Sequence, residues 1–184
     1  MCGIVGYFGD KNPKDVIMEG LKTLEYRGYD SAGVAIFDHG SIKRLRAEGK
    51  LLNLEAILKN VSFDGRTGIG HTRWATHGIP SERNAHPHTV DGISLVHNGI
   101  IENYMEIRSE LSQKGATFTS DTDSELVAHL LAAEIKITKN LLKAVLNVLP
   151  KLRGAFSIVT ISEDSPSEIV AFKSGPPLLL GVGN

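Results

Sequence analysis

The single cysteine of the chain stands at position 2, where its thiol could act as a nucleophile. Cells remove an initiating methionine when the next residue is small, and Cys2 qualifies. Removal would put an α-amine, with a pKa of about 8, on the same residue as a thiol with a pKa of about 8.5. The amine could then take the thiol proton, as in N-terminal threonine nucleophiles. A small apolar residue in a buried strand is the competing interpretation, and position alone favours it.

Two other patterns offer groups that suit an amide substrate. Arg73 comes where a predicted strand gives way to a loop, and its planar guanidinium fits a carboxylate. Asn98 and Gly99 come just past a predicted strand, where a side-chain amide and a backbone N–H could form an oxyanion hole. Taken singly, a surface salt bridge explains the arginine, and a tight turn explains the Asn-Gly pair.

Polar residues at 120–125 precede a predicted helix. A carboxylate there could hold a substrate ammonium, whereas helix capping and compensation of the helix dipole are the ordinary explanation. We expect both explanations to apply, to different residues. Five of the seven histidines lie between His71 and His97, but no second cysteine, His-x-x-x-His helix or paired carboxylates complete a ligand set. We therefore predict no metal and no cofactor, and expect loop histidines to orient neighbouring groups through hydrogen bonds.

Composition narrows the class of protein. A formal net charge of -1 gives no indication of a nucleic-acid or membrane surface. One cysteine allows no internal disulfide, which fits a reducing compartment. The N-terminus lacks the basic and apolar regions of a signal peptide, and no segment reaches the roughly 18 apolar residues of a spanning helix. We predict a cytoplasmic protein.

Hydrophobic periodicity predicts an α+β domain covering 1–184. One helix is predicted to start at Asn12-Pro13. A second helix, at 51–59, is predicted to turn Leu54, Ile57 and Leu58 inward. The other helices are predicted at 102–114, 124–136 and 140–149, and strands at 2–8, 32–38, 41–48, 66–74, 93–97, 155–162, 168–173 and 178–182. The chain ends on a predicted strand, so we expect it to be a C-terminally incomplete part of a longer protein.

Together these motifs resemble one family. The sequence Cys-Gly-Ile-Val-Gly at 2–6 resembles the start of the class II glutamine amidotransferases, which are N-terminal-nucleophile hydrolases. The motifs at 26–33, 71–78, 84–88 and 97–103 narrow the resemblance to the glutaminase domains of glutamine–fructose-6-phosphate aminotransferases. The resemblance spans essentially the whole chain. It implies a four-layer αββα sandwich with two antiparallel sheets packed face to face.

The resemblance also implies roles for individual residues. Cys2 would attack the side-chain amide of glutamine, and the Asn98 side chain and Gly99 N–H would hold the oxyanion. Arg73 would bind the substrate α-carboxylate and Asp123 its α-ammonium. The remaining implied residues are Thr76 and His77 on a closing loop, His86 near it, Trp74 on the ammonia path and Arg27 close to the nucleophile.

The implied activity is hydrolysis of L-glutamine, with the ammonia converting fructose 6-phosphate to glucosamine 6-phosphate. Sugar-isomerase domains of the same full-length chain are the implied partners, and the full-length enzyme is expected to be a homo-oligomer. Three alternatives stay open. They are the amidotransferase half of another class II enzyme such as amidophosphoribosyltransferase, a glutamine-sensing module without catalysis, and a hydrolase of a different amide.

Overall fold

The computed structural model describes residues 2–75 and 78–183, with the backbone alone for Arg27. The elements in chain order are β1 (Gly3–Phe8), α1 (Pro13–Thr23), β2 (Ser31–Asp38), β3 (Ser41–Glu48), α2 (Leu51–Leu58), β4 (Thr67–Arg73), β5 (His88–Val90), β6 (Ile93–Ile101), α3 (Tyr104–Gln113), α4 (Asp123–Thr138), α5 (Leu141–Val148), β7 (Gly154–Ser162) and β8 (Ser165–Ser174). No helix in the described ranges is both long enough and apolar enough to cross a membrane.

The strands form two four-stranded antiparallel sheets, ordered β1-β4-β2-β3 and β5-β6-β7-β8. Helices α1 and α2 pack on the first sheet, and α4 and α5 pack on the second, with α3 against α4. Apolar side chains from both sheets meet between them: Ala35, Ile69, Val96, Val159 and Ile161. The predicted α+β class and the αββα layers are confirmed.

Burial on two faces explains why the central strands are so apolar. A strand with a helix layer on one face and the other sheet on the opposite face has no solvent side, so alternation of polar and apolar residues disappears. All seven residues of β4 are buried, and so are seven of the eight residues of β2. Polar residues within such strands are therefore enclosed, which makes His71 and Arg73 of β4 notable.

Local signals set the helix starts and the first hairpin as predicted. The Asn12 side chain accepts the N–H of Lys14, and Pro13 opens α1. Thr122 caps α4 by accepting the N–H of Glu125. These caps satisfy backbone donors that have no partner within the helix.

The structure corrects four expectations. Ile57 is 42% exposed, because α2 turns only Leu54 and Leu58 of the predicted trio inward. β6 runs on to Ile101, so Asn98 and Gly99 lie within a strand rather than past its end. The short strand β5 was not predicted. Residues 178–182 form no strand in the described chain; Leu179, Leu180 and Val182 are at least 90% exposed there.

Candidate active site

Cys2 is positioned by the pairing of β1 with β4. Gly3 pairs with Thr72 in this antiparallel ladder, so the residue before β1 meets the residues that end β4. The Trp74 N–H donates to the Cys2 sulfur at 3.1 Å. Burial raises the pKa of the Cys2 thiol, although this N–H and the nearby Arg73 both favour the thiolate. The thiol therefore needs a base to become nucleophilic at neutral pH.

Arg73 is the last residue of β4, so it lies at the strand-to-loop transition where it was predicted. Its side chain is buried. Its Nη2 donates to the Gly78 carbonyl at 3.3 Å, and its Nη1 lies 3.9 Å from a carboxylate oxygen of Asp30. Burial lowers the pKa of Arg73, whereas Asp30, Cys2 and Asp123 act in the opposite direction. A buried guanidinium next to the nucleophile is a suitable group for an anionic ligand.

Asn98 reaches the nucleophile from the second sheet. Its Nδ2 donates to the Cys2 carbonyl at 3.2 Å, so the two sheets meet at this contact. Gly99 follows with φ of +123°, and an added Cβ would lie 2.1 Å from the Ala155 carbonyl oxygen. Glycine alone fits there, because the conformation disfavours side chains and the neighbour is backbone. The structure thus brings the predicted oxyanion donor Asn98 to Cys2.

Asp123 is the first residue of α4 and is buried. One carboxylate oxygen accepts the Ile101 N–H at 2.9 Å, and the other accepts the Ser124 hydroxyl at 3.3 Å. The His97 Nδ1 lies 3.8 Å from that second oxygen. The positive end of the helix dipole stabilises a carboxylate at this position. Asp123 therefore joins the site as a held, buried anion.

A cluster of buried histidines supports these groups, and sequence reasoning assigned only His86 of its members to the site. The His71 and His86 ring centroids are 4.2 Å apart, and those of His86 and His88 are 4.7 Å apart. The Ser124 oxygen lies 2.8 Å from both His86 Nε2 and His97 Nδ1. The density of histidines between 71 and 97 was the available signal, and His71, His86, His88 and His97 belong to this cluster.

Burial keeps the imidazoles of His71, His86 and His88 neutral. It lowers the pKa of His71 to about 3 and the pKa values of His86 and His88 well below their usual range. The neighbouring rings and Arg73 act in the same direction on His86 and His88. The histidines therefore act as neutral hydrogen-bonding groups at physiological pH. His86 lies in this cluster and contacts Ser124, rather than Cys2.

Other expected site residues differ in how the structure places them. The Trp74 side chain is 54% exposed and packs near Gly28, beside the nucleophile. Thr76 and His77 lie outside the described residues, as does the side chain of Arg27.

Asp30 is a site residue that sequence reasoning missed. Its carboxylate accepts the Ala75 N–H at 2.6 Å and the Ser31 hydroxyl at 2.9 Å. Its backbone N–H donates to the Arg73 carbonyl at 2.7 Å. Asp30 therefore holds the segment that follows β4, which lies next to the nucleophile. Its place in the motif at 26–33 was the one signal available.

Comparisons with known proteins point in one direction. The glutamine amidotransferase domain family matches residues 71–173, more than half of the chain. Glutamine–fructose-6-phosphate aminotransferase (isomerizing) of Agrobacterium fabrum is 52% identical over 183 residues, which is 100% of this chain and 30% of that protein. The namesake from Acinetobacter baylyi is 50% identical with the same coverage. The chain spans about 30% of the length of these curated relatives.

Solved structures support the fold. Glutamine phosphoribosylpyrophosphate amidotransferase from B. subtilis, complexed with ADP and GMP, has a TM-score of 0.72 at 24% identity over 89% of this chain and 35% of that chain. A structure described as the allosteric regulatory enzyme of purine biosynthesis has a TM-score of 0.74 at 25% identity, covering 89% and 36%. The sandwich is therefore similar in fold to domains of these two enzymes.

Proposed function

The chain belongs to the glutamine amidotransferase domain family, and from that premise we propose that it hydrolyses L-glutamine to glutamate and ammonia. One observation carries the proposal. Cys2 before β1, the Arg73 guanidinium at the end of β4 and the Asn98 amide within β6 converge, with Trp74 N–H 3.1 Å from the sulfur and Asn98 Nδ2 3.2 Å from the Cys2 carbonyl. A nucleophile, an anion-binding group and an oxyanion donor thus share one place.

The nucleophile in this proposal is the Cys2 thiolate. Burial disfavours the thiolate, so its formation requires a nearby base. The α-amine of Cys2, freed by removal of Met1, has a suitable ordinary pKa of about 8 and lies on the same residue. The Trp74 N–H would stabilise the sulfur anion before attack. The proposal therefore includes the removal of Met1. This removal stays a prediction, because Met1 lies outside the described residues.

The chemistry proceeds in two steps. The sulfur attacks the side-chain carbonyl carbon of glutamine, and the resulting oxyanion accepts hydrogen bonds from Asn98 Nδ2 and the Gly99 N–H. The C–N bond breaks as the α-ammonium of Cys2 returns its proton to the leaving nitrogen, which releases ammonia and leaves a γ-glutamyl thioester. Water, deprotonated by the same amine, then attacks the thioester, and glutamate departs as the thiol is restored.

Two buried charges would select the amino-acid end of the substrate. Glutamine carries one α-carboxylate and one α-ammonium, and Arg73 and Asp123 provide the opposite charges. Leaving either charge buried without a partner is costly, so an amide lacking these groups would bind poorly. This argument disfavours a hydrolase of a different amide. The remaining predicted site residues are Thr76 and His77 on a closing loop, His86 near that loop, Trp74 on the ammonia path and Arg27 close to the nucleophile.

The ammonia acceptor is inferred from the relatives. Identity of 52% to an aminotransferase named for fructose 6-phosphate favours that sugar over phosphoribosylpyrophosphate, whose amidotransferase is 24% identical. We propose that sugar-isomerase domains of the full-length chain use the ammonia to form glucosamine 6-phosphate. A homo-oligomeric full-length enzyme and a cytoplasmic location stay predictions.

The test measures glutamate released from L-glutamine by the purified chain and by a Cys2→Ala variant. We expect release by the first and none by the second. Mass spectrometry after treatment with an electrophilic glutamine analogue should show one adduct on Cys2 and no Met1. Undiminished release by Cys2→Ala would overturn the proposal. Comparing fructose 6-phosphate with phosphoribosylpyrophosphate as acceptors for the full-length protein would decide between the two amidotransferase classes.

A further inference from the structure

His71 makes two contacts that define where its ring proton lies. Its Nε2 is 3.0 Å from the His97 carbonyl oxygen and 2.9 Å from the Asn98 Oδ1. A carbonyl oxygen can only accept, so Nε2 must carry a hydrogen and donate. The ring is fully buried, and in the described chain its Nδ1 has no hydrogen-bond partner. His71 is therefore the Nε2–H tautomer.

The Asn98 amide is constrained from both of its ends. Its oxygen faces the His71 donor, and its Nδ2 donates to the Cys2 carbonyl at 3.2 Å. Rotating the amide by 180° would bring two donors together at His71 and two acceptors together at Cys2. Each buried polar group left without a partner costs about 1–3 kcal/mol. The amide therefore has one favoured orientation, in which its hydrogens face the nucleophile.

Strand geometry places the His71 side chain opposite that of Asn98. Side chains two residues apart share a face of a strand, so His71 lies on the same face of β4 as Ile69, which packs between the sheets. Asn98 shares its face of β6 with Val96, which belongs to the same cluster. The two side chains thus meet across the space between the sheets. The His71 contacts above are to Asn98 and to backbone, with none to the Cys2 sulfur.

We propose that His71 is a positioning residue, which holds the Asn98 amide with its NH₂ group toward Cys2 so that it can stabilise the oxyanion. The inference rests on the proposed glutaminase function and adds a residue to it. Without the His71 donor, the amide could rotate and present its oxygen to the developing negative charge. Burial lowers the pKa of His71 to about 3, so the ring stays neutral over the working pH range, and its contacts at Nε2 select the tautomer.

The test combines two substitutions of His71 with Asn98→Ala. His71→Leu removes the donor at similar volume, whereas His71→Gln can place an N–H near the Nε2 position. We expect His71→Leu to lower kcat by about 10- to 100-fold with less than about 3-fold change in KM, and His71→Gln to restore most of the loss. In the Asn98→Ala background, His71→Leu should cost less than about 3-fold, because the group it positions is absent.

His88→Leu is the matched control. His88 is as buried as His71, but its Nε2 contacts the Thr122 hydroxyl at 3.0 Å. Any loss that His88→Leu causes should persist in the Asn98→Ala background. Equal losses for His71→Leu in both backgrounds, or no difference between the leucine and glutamine variants, would overturn the proposal. Thermal unfolding of each variant identifies those that fail to fold.

A measurement without turnover separates this inference from the proposed function. The side-chain amide protons of Asn98, identified in NMR spectra by their loss in Asn98→Ala, should be protected from exchange in the wild type and in His71→Gln. They should lose protection in His71→Leu. Unchanged protection in His71→Leu would refute the positioning role. Protection that follows the prediction in a chain that releases no glutamate would refute the glutaminase function alone.

Discussion

Two buried carboxylates, Asp38 and Asp123, lie at opposite ends of the sandwich. Asp38 ends β2, whereas the first residue of β2, Ser31, pairs with Arg73 at the nucleophile end. Both side chains are at most 4% exposed. At similar burial, their partners differ in kind, and that difference separates a structural carboxylate from one suited to a ligand.

Asp38 is compensated within the chain. It accepts hydrogen bonds from Lys43, from the Asp64 N–H at 2.9 Å and from His39 at 3.0 Å. Burial raises the pKa of Asp38, but these donors outweigh burial, so that the pKa lies well below its usual range. Its charge is satisfied without an external ligand.

Asp123 has weaker compensation in the described part of the chain. The His97 ring lies 3.8 Å from it, and its shorter contacts are to the Ile101 N–H and the Ser124 hydroxyl. A buried anion held mainly by neutral hydrogen-bond donors is stabilised by a bound cation. The comparison teaches that burial alone does not mark a functional carboxylate; the hydrogen-bonding capacity left for a ligand does.

The largest expected effect tests the nucleophile end. Asn98→Ala should raise the barrier by about 3–4 kcal/mol, roughly 10²- to 10³-fold in kcat, with little change in the KM for glutamine. Steady-state glutamate release measures it. Asn103→Ala is the control, because that amide bonds backbone groups of Lys151 and Arg153 on the surface. Normal turnover by Asn98→Ala would remove Asn98 from the oxyanion hole.

Asp123→Asn should weaken glutamine binding, because a neutral amide cannot balance the substrate ammonium. We expect kcat/KM to fall by about 10- to 100-fold, mostly through KM. Asp38→Asn should leave KM unchanged. If the two variants changed KM equally, the assignment of Asp123 to the substrate would fail.

Asp38→Asn should instead lower the free energy of unfolding by about 2 kcal/mol at pH 7, since charged hydrogen bonds are lost. The folded pKa lies below the unfolded value of about 3.9, so this stabilisation is full above about pH 4 and is lost as pH falls below it. Urea unfolding from pH 7 to pH 3 measures both. A wild-type excess in stability that was as large at pH 3 as at pH 7 would contradict the ionic role of Asp38.

The histidine cluster at the nucleophile end should also make the free energy of unfolding depend on pH. This dependence should begin at a higher pH than the one due to Asp38. Folded pKa values depressed below about 6.5 mean that the unfolded chain binds protons first, so stability falls as pH drops below about 6.5. His88→Gln should reduce this slope by up to about 1.4 kcal/mol per pH unit. Asp38→Asn should leave the slope between pH 6 and pH 5 unchanged. An unaltered slope in His88→Gln would mean that His88 is not buried in its neutral form.

Short-range patterns predicted most of the elements. The cap at Asn12, the strands β2 and β3, and the arginine at the end of β4 followed from residue type and period. The prediction that Ile57 faces inward was wrong, because the buried face of α2 is narrower than predicted. The prediction of a strand at 178–182 was also wrong, because this apolar segment pairs with no strand in the described chain. Strand hydrogen bonds need a partner, which composition does not provide.

The amino-acid sequence by itself determined which groups the site contains: a cysteine at position 2, an arginine at a strand end, an Asn-Gly pair and a carboxylate at a helix start. The tertiary structure alone decided their mutual geometry. Asn98 meets Cys2, and His71 meets Asn98, because two sheets pack face to face in one register. Contacts between strands so far apart in the chain depend on packing across the core, which no local pattern encodes.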